Sequence, residues 1–175
     1  GLRKFMDNIK PTFSKGGKLG FLESTFDAFE TFLFVPNTTT RKGAHIRDCN
    51  DMKRTMIMVV VALMPAFFFG CYNTGIQVGL EGFQAFFYGL VRVLPMVCVS
   101  YIVGLGIEFG FAQARGHEVN EGFLVSGLLI PMIMPVSTPL WMVGLATAFA
   151  VVFGKEVFGG TGMNVFNPAL LARAF

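Results

Sequence analysis

The feature that most constrains this chain is the run Thr55 to Tyr72, TMIMVVVALMPAFFFGCY, in which 18 consecutive positions carry no charge. Lys53 and Arg54 stand directly before it. About 20 apolar residues cross the hydrocarbon core of a bilayer, and basic residues collect at the cytoplasmic ends of spans. The run therefore predicts a helix that leaves the cytoplasm and crosses a membrane. Composition agrees: 53% of the residues are hydrophobic, 21 of them are Phe, and only 14% are charged, against roughly a quarter charged in a soluble domain.

Charge divides the chain into two parts. Residues 1–54 hold ten of the 14 Lys and Arg and six of the 11 acids, leaving four basic residues for the other 121 positions. The net charge of +3 thus sits in one extramembrane arm and is not spread over a surface, which argues against a nucleic-acid binder. Within this 1–54 arm, Leu22, Phe26, Phe29 and Leu33 recur at helical spacing between Phe21 and Phe34, with Glu23, Asp27 and Glu30 to one side. The pattern predicts an interfacial helix whose acidic polar face suits a protein partner better than anionic lipid. The first dozen residues contain Arg3, Lys4, Asp7 and Lys10 and no apolar run, so they do not read as a signal peptide, and the N-terminus is expected in the cytoplasm.

Residues 55–175 read as the N-terminal part of a transmembrane domain. Asn73 to Tyr88 carries only Glu81 and reads as an external loop, and a second span is expected from about Leu90 to Ala112. The polar insert Gln113 to Glu121 returns the chain to the basic side. Gly122 to Thr138 and Leu140 to Gly154 follow as apolar stretches of 17 and 15 residues, the first interrupted by Pro131 and Pro135 and the two joined at Pro139. Both are short for full crossings. They are either a tight helical hairpin or discontinuous helices of the kind that bring backbone groups to mid-membrane depth around a cavity. With Arg115 and Lys155 taken as inner markers, about four crossings result, and the chain closes on the opening of another helix, Pro168 to Phe175. It is expected to be a fragment of a longer, all-α polytopic protein.

Few residues could carry chemistry. Cys49, Cys71 and Cys98 form no metal or redox pattern, and His45 and His117 have no second ligand at metal spacing, so no metal centre is expected. No nucleophile and base pair stands out, and no catalytic residue is assigned; any reaction would belong to a cofactor. The run Lys155 to Pro168 is the most informative. Gly159, Gly160 and Gly162 let backbone approach a ligand or another helix closely, and their free N–H groups would suit an anion-binding nest. It matches neither the P-loop nor the dinucleotide fingerprint. Asn164 and Asn167 are three apart, so on one helical turn their amides would face the same way, toward a flat heterocycle; a tight turn with a helix cap explains the same residues. Glu108 lies in the apolar run Tyr101 to Phe109. It either reaches the cytoplasmic interface or stands within the membrane, where a carboxylate would ligate Na⁺ or carry a proton. Gly104 and Gly106 serve either close helix packing or a flat ligand.

Three runs, His45 to Arg54, His117 to Phe123 and Lys155 to Pro168, resemble the family that contains the NqrB component of Na⁺-translocating NADH:quinone oxidoreductases and the RnfD component of the Rnf ferredoxin:NAD⁺ oxidoreductases. The resemblance extends over essentially the whole chain. Because the Rnf relative typically lacks the long arm, residues 1–54 favour the quinone-reducing branch. The family implies an inverted-repeat helical bundle similar to urea and ammonium transporters, in a bacterial inner membrane and in complex with other membrane and peripheral subunits. It implies two flavins, riboflavin and an FMN bound covalently through phosphate to a Thr of a Ser-Gly-Ala-Thr motif. That motif does not occur here, so the FMN threonine is expected downstream of Phe175. At matching positions, Asn164 and Asn167, with Gly159, Gly160 and Thr161 near them, correspond to the riboflavin vicinity. Glu108 corresponds to an acid implicated in Na⁺ uptake, and Gly104 to the first of two glycines associated with quinone. The second glycine's position holds Leu105, with Gly106 following, a departure from the family pattern. The implied activity is electron transfer through flavins to quinone, driving Na⁺ export; a passive channel or transporter on the same scaffold is the reading without redox chemistry.

Overall fold

A computed structural model describes residues 52–115, 122–160 and 162–175, together with Lys10, Lys42 and Gly43. The expected arm helix, Thr161, His45 and His117 lie outside the described residues. Those that are described form helices and turns, with no strand among them.

Helix α1 covers Met52–Ile76 and α2 covers Gly82–Arg115. Each contains a proline, Pro65 and Pro95, a residue that membrane helices tolerate because neighbouring groups satisfy the freed carbonyl. The expected loop from Asn73 to Tyr88 is shorter than its composition suggested. Nothing there ends a helix before Gln77, and the chain turns only where Gly79 and Gly82 take φ of 84° and 60°, a backbone open mainly to glycine. Gly79 N–H closes the turn on the Ile76 carbonyl at 2.8 Å.

Small residues set the approach of α1 to α2. A Cβ on Gly89 would lie 1.8 Å from the Cys71 carbonyl oxygen, and one on Gly75 would lie 2.0 Å from that of Ala85. The two backbones therefore touch, the arrangement that small residues permit between membrane helices. Elsewhere both helices present bulk outward: Phe69 is 71% exposed, Phe83 84% and Ile102 73%. Of the most apolar windows of these helices, 11% and 22% of residues are buried. Such surfaces need lipid or further protein around them.

The two short stretches become α3, Phe123–Ile133, and α4, Leu140–Val151. At about 1.5 Å per residue neither reaches the roughly 30 Å of a bilayer core. Helix α3 ends before Pro135, whose ring drives Met134 into extended geometry (φ −89°, ψ 148°). The start of α3 lies beside Tyr101 and Gly104, and its end shares a cavity with Arg92 and Val93. Helix α4 passes Val99 and Val103 at Gly144 and reaches Glu108 at Lys155. The chain therefore reverses between them, α3 running toward the Gly82 end of α2 and α4 back toward the Arg115 end. They do not form a tight hairpin. Both lie along α2 and are separated by α5, Pro168–Ala174, which packs on each. Ala169 and Ala172 of α5 join Ile130, Ala146, Ala150 and Val151 in one buried core, and the Arg173 guanidinium donates to the Ile133 carbonyl at the open end of α3.

A buried ion pair and a glycine loop

Helix α2 buries Ala85, Gly89, Val93, Met96, Ser100, Gly104, Glu108 and Ala112. The spacing is four residues except for one three, so a single stripe faces inward. Glu108 belongs to this stripe and is 4% exposed. Its carboxylate is therefore enclosed by protein and does not stand on an exposed face of the helix.

Its partner is Lys155, itself 4% exposed, whose ammonium donates to Glu108 Oε1. The pairing depends on how α4 ends. From Val152 to Glu156 the helix widens to a π-turn, a feature that often accompanies functional sites. In that turn three consecutive residues, Gly154, Lys155 and Glu156, are all buried. Gly154 makes room for the contact with α5, since a Cβ there would meet Leu171 at 3.0 Å. Glu156 lies 3.8 Å from Arg115, whose side chain is 40% exposed. Two acids and two bases therefore alternate from the interior outward: Glu108, Lys155, Glu156, Arg115. Glu108 Oε2 accepts no hydrogen bond from the described residues although it is buried, an expensive state for a carboxylate oxygen. Sequence reasoning took Lys155 as a marker of the inner interface. The structure buries it against Glu108, 47 positions away, a pairing that no local feature of the sequence marks.

Past the π-turn the glycines end the helix. Gly159 N–H donates to the Glu156 carbonyl at 3.2 Å and Gly160 N–H to that of Lys155 at 3.1 Å. These two donors are therefore consumed in a helix cap and are not free for the anion nest that the glycine pattern suggested. Gly159, Gly160 and Gly162 have φ of 116°, 99° and 92°, so the conformation itself calls for glycine. The expected common helical turn of Asn164 and Asn167 is not formed. Asn164 lies in an exposed loop, its amide N–H donating to the Phe166 carbonyl at 3.1 Å. Asn167 is the N-cap of α5: its Oδ1 accepts from Ala169 N–H at 2.9 Å and Leu170 N–H at 3.4 Å, with Pro168 in the first turn. Each keeps one side-chain function unused by these bonds, Oδ1 of Asn164 and Nδ2 of Asn167. Around them Phe158, Met163, Val165 and Phe166 are exposed, so the loop presents apolar side chains beside the two amides on an open surface.

Gly104 and Gly106 face different ways. A Cβ on Gly104 would lie 1.9 Å from the ring of Phe123, which packs edge-on against Tyr101 at a centroid distance of 6.2 Å, whereas among the described residues nothing lies within 4 Å of one on Gly106. The former is a packing glycine and the latter leaves open surface. At the Gly82 end, a cavity of ≈ 670 Å³ that the sequence did not announce lies between α1, α2 and the α3–α4 connection, with Phe67, Cys71, Arg92, Pro131 and Met132 among its walls.

Spans in backbone contact, two half-length helices and a charge pair buried among them define a polytopic membrane protein with a buried ion pair in its helical core. The chain belongs to the NQR2, RnfD, RnfE family, whose model matches residues 39–175. Along its whole length it is 42% identical to NqrB of the Na⁺-translocating NADH-quinone reductase of Stutzerimonas stutzeri, covering 51% of that protein. Against the proteins of the same name from Chromohalobacter salexigens and Pseudoalteromonas atlantica it is 40% identical, again over the whole chain and covering 49% and 51% of them. The chain spans about half the length of these relatives.

Proposed function

We propose that this chain belongs to a membrane subunit of a respiratory Na⁺ pump of the bacterial inner membrane, which passes electrons through flavins to quinone and couples that transfer to Na⁺ export. Glu108 carries the reading: a carboxylate buried in a membrane helix, with one oxygen held by Lys155 and the other without a hydrogen-bond partner among the described residues. Such a group suits a monovalent cation as cargo. The relatives' names state Na⁺ translocation and NADH-quinone reduction for those proteins.

The loop after Gly160 is the proposed riboflavin vicinity. Asn164 Oδ1 and Asn167 Nδ2 would hold the polar edge of the ring, and Phe158 and Phe166 would flank its faces. A flavin bound there would supply one- and two-electron chemistry. The covalent FMN is assigned to a threonine outside residues 1–175. Quinone is assigned to the neighbourhood of Gly104 and Gly106, where access to Gly104 requires the Phe123 ring to move. Residues 1–54 are proposed to dock on other subunits from the cytoplasmic side.

In the full-length protein within its complex, Glu108→Ala is expected to raise the Na⁺ concentration for half-maximal quinone reduction; an unaltered Na⁺ titration rejects the ion role. Because the family also contains RnfD, the electron acceptor is the second question. Quinone-dependent oxidation of NADH by the purified complex selects the quinone-reducing branch. A complex without a flavin absorption spectrum selects a passive channel or transporter.

A further inference from the structure

We propose that Lys155 is a tethered cation occupying the Na⁺ site at Glu108, and that Na⁺ binds by displacing its ammonium from the carboxylate. The proposal rests on the reading of Glu108 as an ion-binding residue and adds the group with which the ion competes.

Three observations carry it. Lys155 and Glu108 come from different elements, each 4% exposed, and meet through one carboxylate oxygen only. The second oxygen is buried and accepts nothing from the described residues, so the ammonium does not fill the site. A buried carboxylate with one oxygen vacant has unused affinity for a cation. Finally, Lys155 sits in a π-turn, one residue wider than the α-helix preceding it. Such π-turns interrupt the regular helix ladder and are frequent at functional sites.

Charge balance indicates where the displaced charge goes. Glu108 and Lys155 together are neutral, so a bound Na⁺ brings one excess positive charge into a region of low dielectric. Glu156 follows Lys155 in sequence and is 8% exposed, and Arg115 beyond it has a side chain 40% exposed. Lys155 released from Glu108 finds its next carboxylate in Glu156, and Arg115 released from Glu156 is solvated. One cation enters the interior as another is handed to water. No bond is made or broken, and the site's net charge is restored.

Two measurements on the full-length protein in its complex test this. First, the wild-type protein is treated with dicyclohexylcarbodiimide, which joins a carboxylate and an adjacent lysine as an amide, and the Glu108–Lys155 cross-link is quantified by mass spectrometry. Its yield is expected to fall on the order of tenfold from choline chloride to the same concentration of NaCl. A yield indifferent to Na⁺, or no cross-link, overturns the proposal. Second, Lys155→Met should lower the Na⁺ concentration for half-maximal binding of ²²Na⁺ at the Glu108-dependent site on the order of tenfold, while Lys155→Arg leaves it unchanged or raises it. A role confined to holding α2 and α4 together predicts lost stability in Lys155→Met with no gain in Na⁺ affinity, and that result overturns the proposal. If Glu108→Gln binds ²²Na⁺ as the wild type does, the ion reading of Glu108 itself fails. If Glu108→Gln loses binding but Lys155→Met does not gain it, only the role of Lys155 fails.

Discussion

The two ends of α2 are held by opposite means. At the Gly82 end, Gly75 and Gly89 bring the backbone of α1 against that of α2 with no charge in the contact. At the Arg115 end, the stripe delivers Glu108 to Lys155, and the tie is ionic. Backbone contact of Gly75 with Ala85 and of Gly89 with Cys71 has one arrangement, because any shift opens a void or makes a clash. An ion pair has others, since each partner can exchange for a different charge. On the proposed function the two ends divide the work, one fixed and the other exchangeable.

The largest expected effect breaks the fixed end. Gly75→Ala together with Gly89→Ala puts two methyl groups within 2.0 Å of carbonyl oxygens on the facing helix. Backbone cannot rotate away as a side chain does, so α1 and α2 must separate. Each substitution is expected to cost at least the about 1–3 kcal/mol typical of overpacking, seen as aggregation on size exclusion in detergent. If the double variant elutes and unfolds as the wild type does, the fixed end is not fixed.

The exchangeable end should respond to the order in which its charges are removed. Lys155→Met alone leaves a buried carboxylate unpaired, a loss of about 3–5 kcal/mol for such pairs. Glu108→Gln added to it removes that charge, and the double variant is expected to recover more than half of the loss in thermal midpoint. Recovery is the point of contrast with the Gly82 end, where a second substitution can only add damage. A double variant no more stable than Lys155→Met would show that the two residues do not act as a pair.

The outline of the helices was legible in the sequence, for identifiable reasons, but neither contact at the two ends of α2 was. The charge-free run from Thr55, the prolines at 135 and 139, and the glycines at 159, 160 and 162 each impose a local consequence: a span, a helix end, a positive φ. What was not legible depended on distant parts of the chain. Lys155 and Glu108 are 47 positions apart, and nothing local distinguishes a lysine at the membrane surface from one turned inward by a π-turn. Asn164 and Asn167 had the spacing of one helical turn, but Pro168 begins α5 after Asn167, so the first asparagine falls in the loop and the second becomes the cap. The departure at Leu105 likewise could not reveal that Gly104 is filled by a ring from α3.

Asn167 allows a finer cut at the Arg115 end, where its cap and its proposed ligand function use different atoms. Asn167→Ala removes both and is expected to cost about 0.5–2 kcal/mol as a lost cap, with loss of non-covalent flavin from the purified complex. Asn167→Asp keeps an oxygen for Ala169 and Leu170 N–H but removes the Nδ2 donor. Stability near wild type with flavin lost would assign the amide to the ligand. Stability and flavin both retained would leave Asn167 a cap and nothing more.

The smallest effect lies where the two regimes meet. Tyr101 donates to the Leu124 carbonyl at 2.5 Å and carries the Phe123 ring that fills Gly104. Tyr101→Phe keeps the ring contact and removes one hydrogen bond, so a loss of about 0.5–1.5 kcal/mol is expected in the thermal midpoint. Leu124 lies in the first turn of α3, where its carbonyl also accepts within the helix, and the hydroxyl therefore fixes position more than it satisfies a need. If the start of α3 belongs to the fixed part, Na⁺ dependence is unchanged in Tyr101→Phe and only stability falls. A shifted Na⁺ titration would extend the exchangeable region past Gly104 as far as Tyr101, and the division of α2 would then fall between Tyr101 and the Gly82 end.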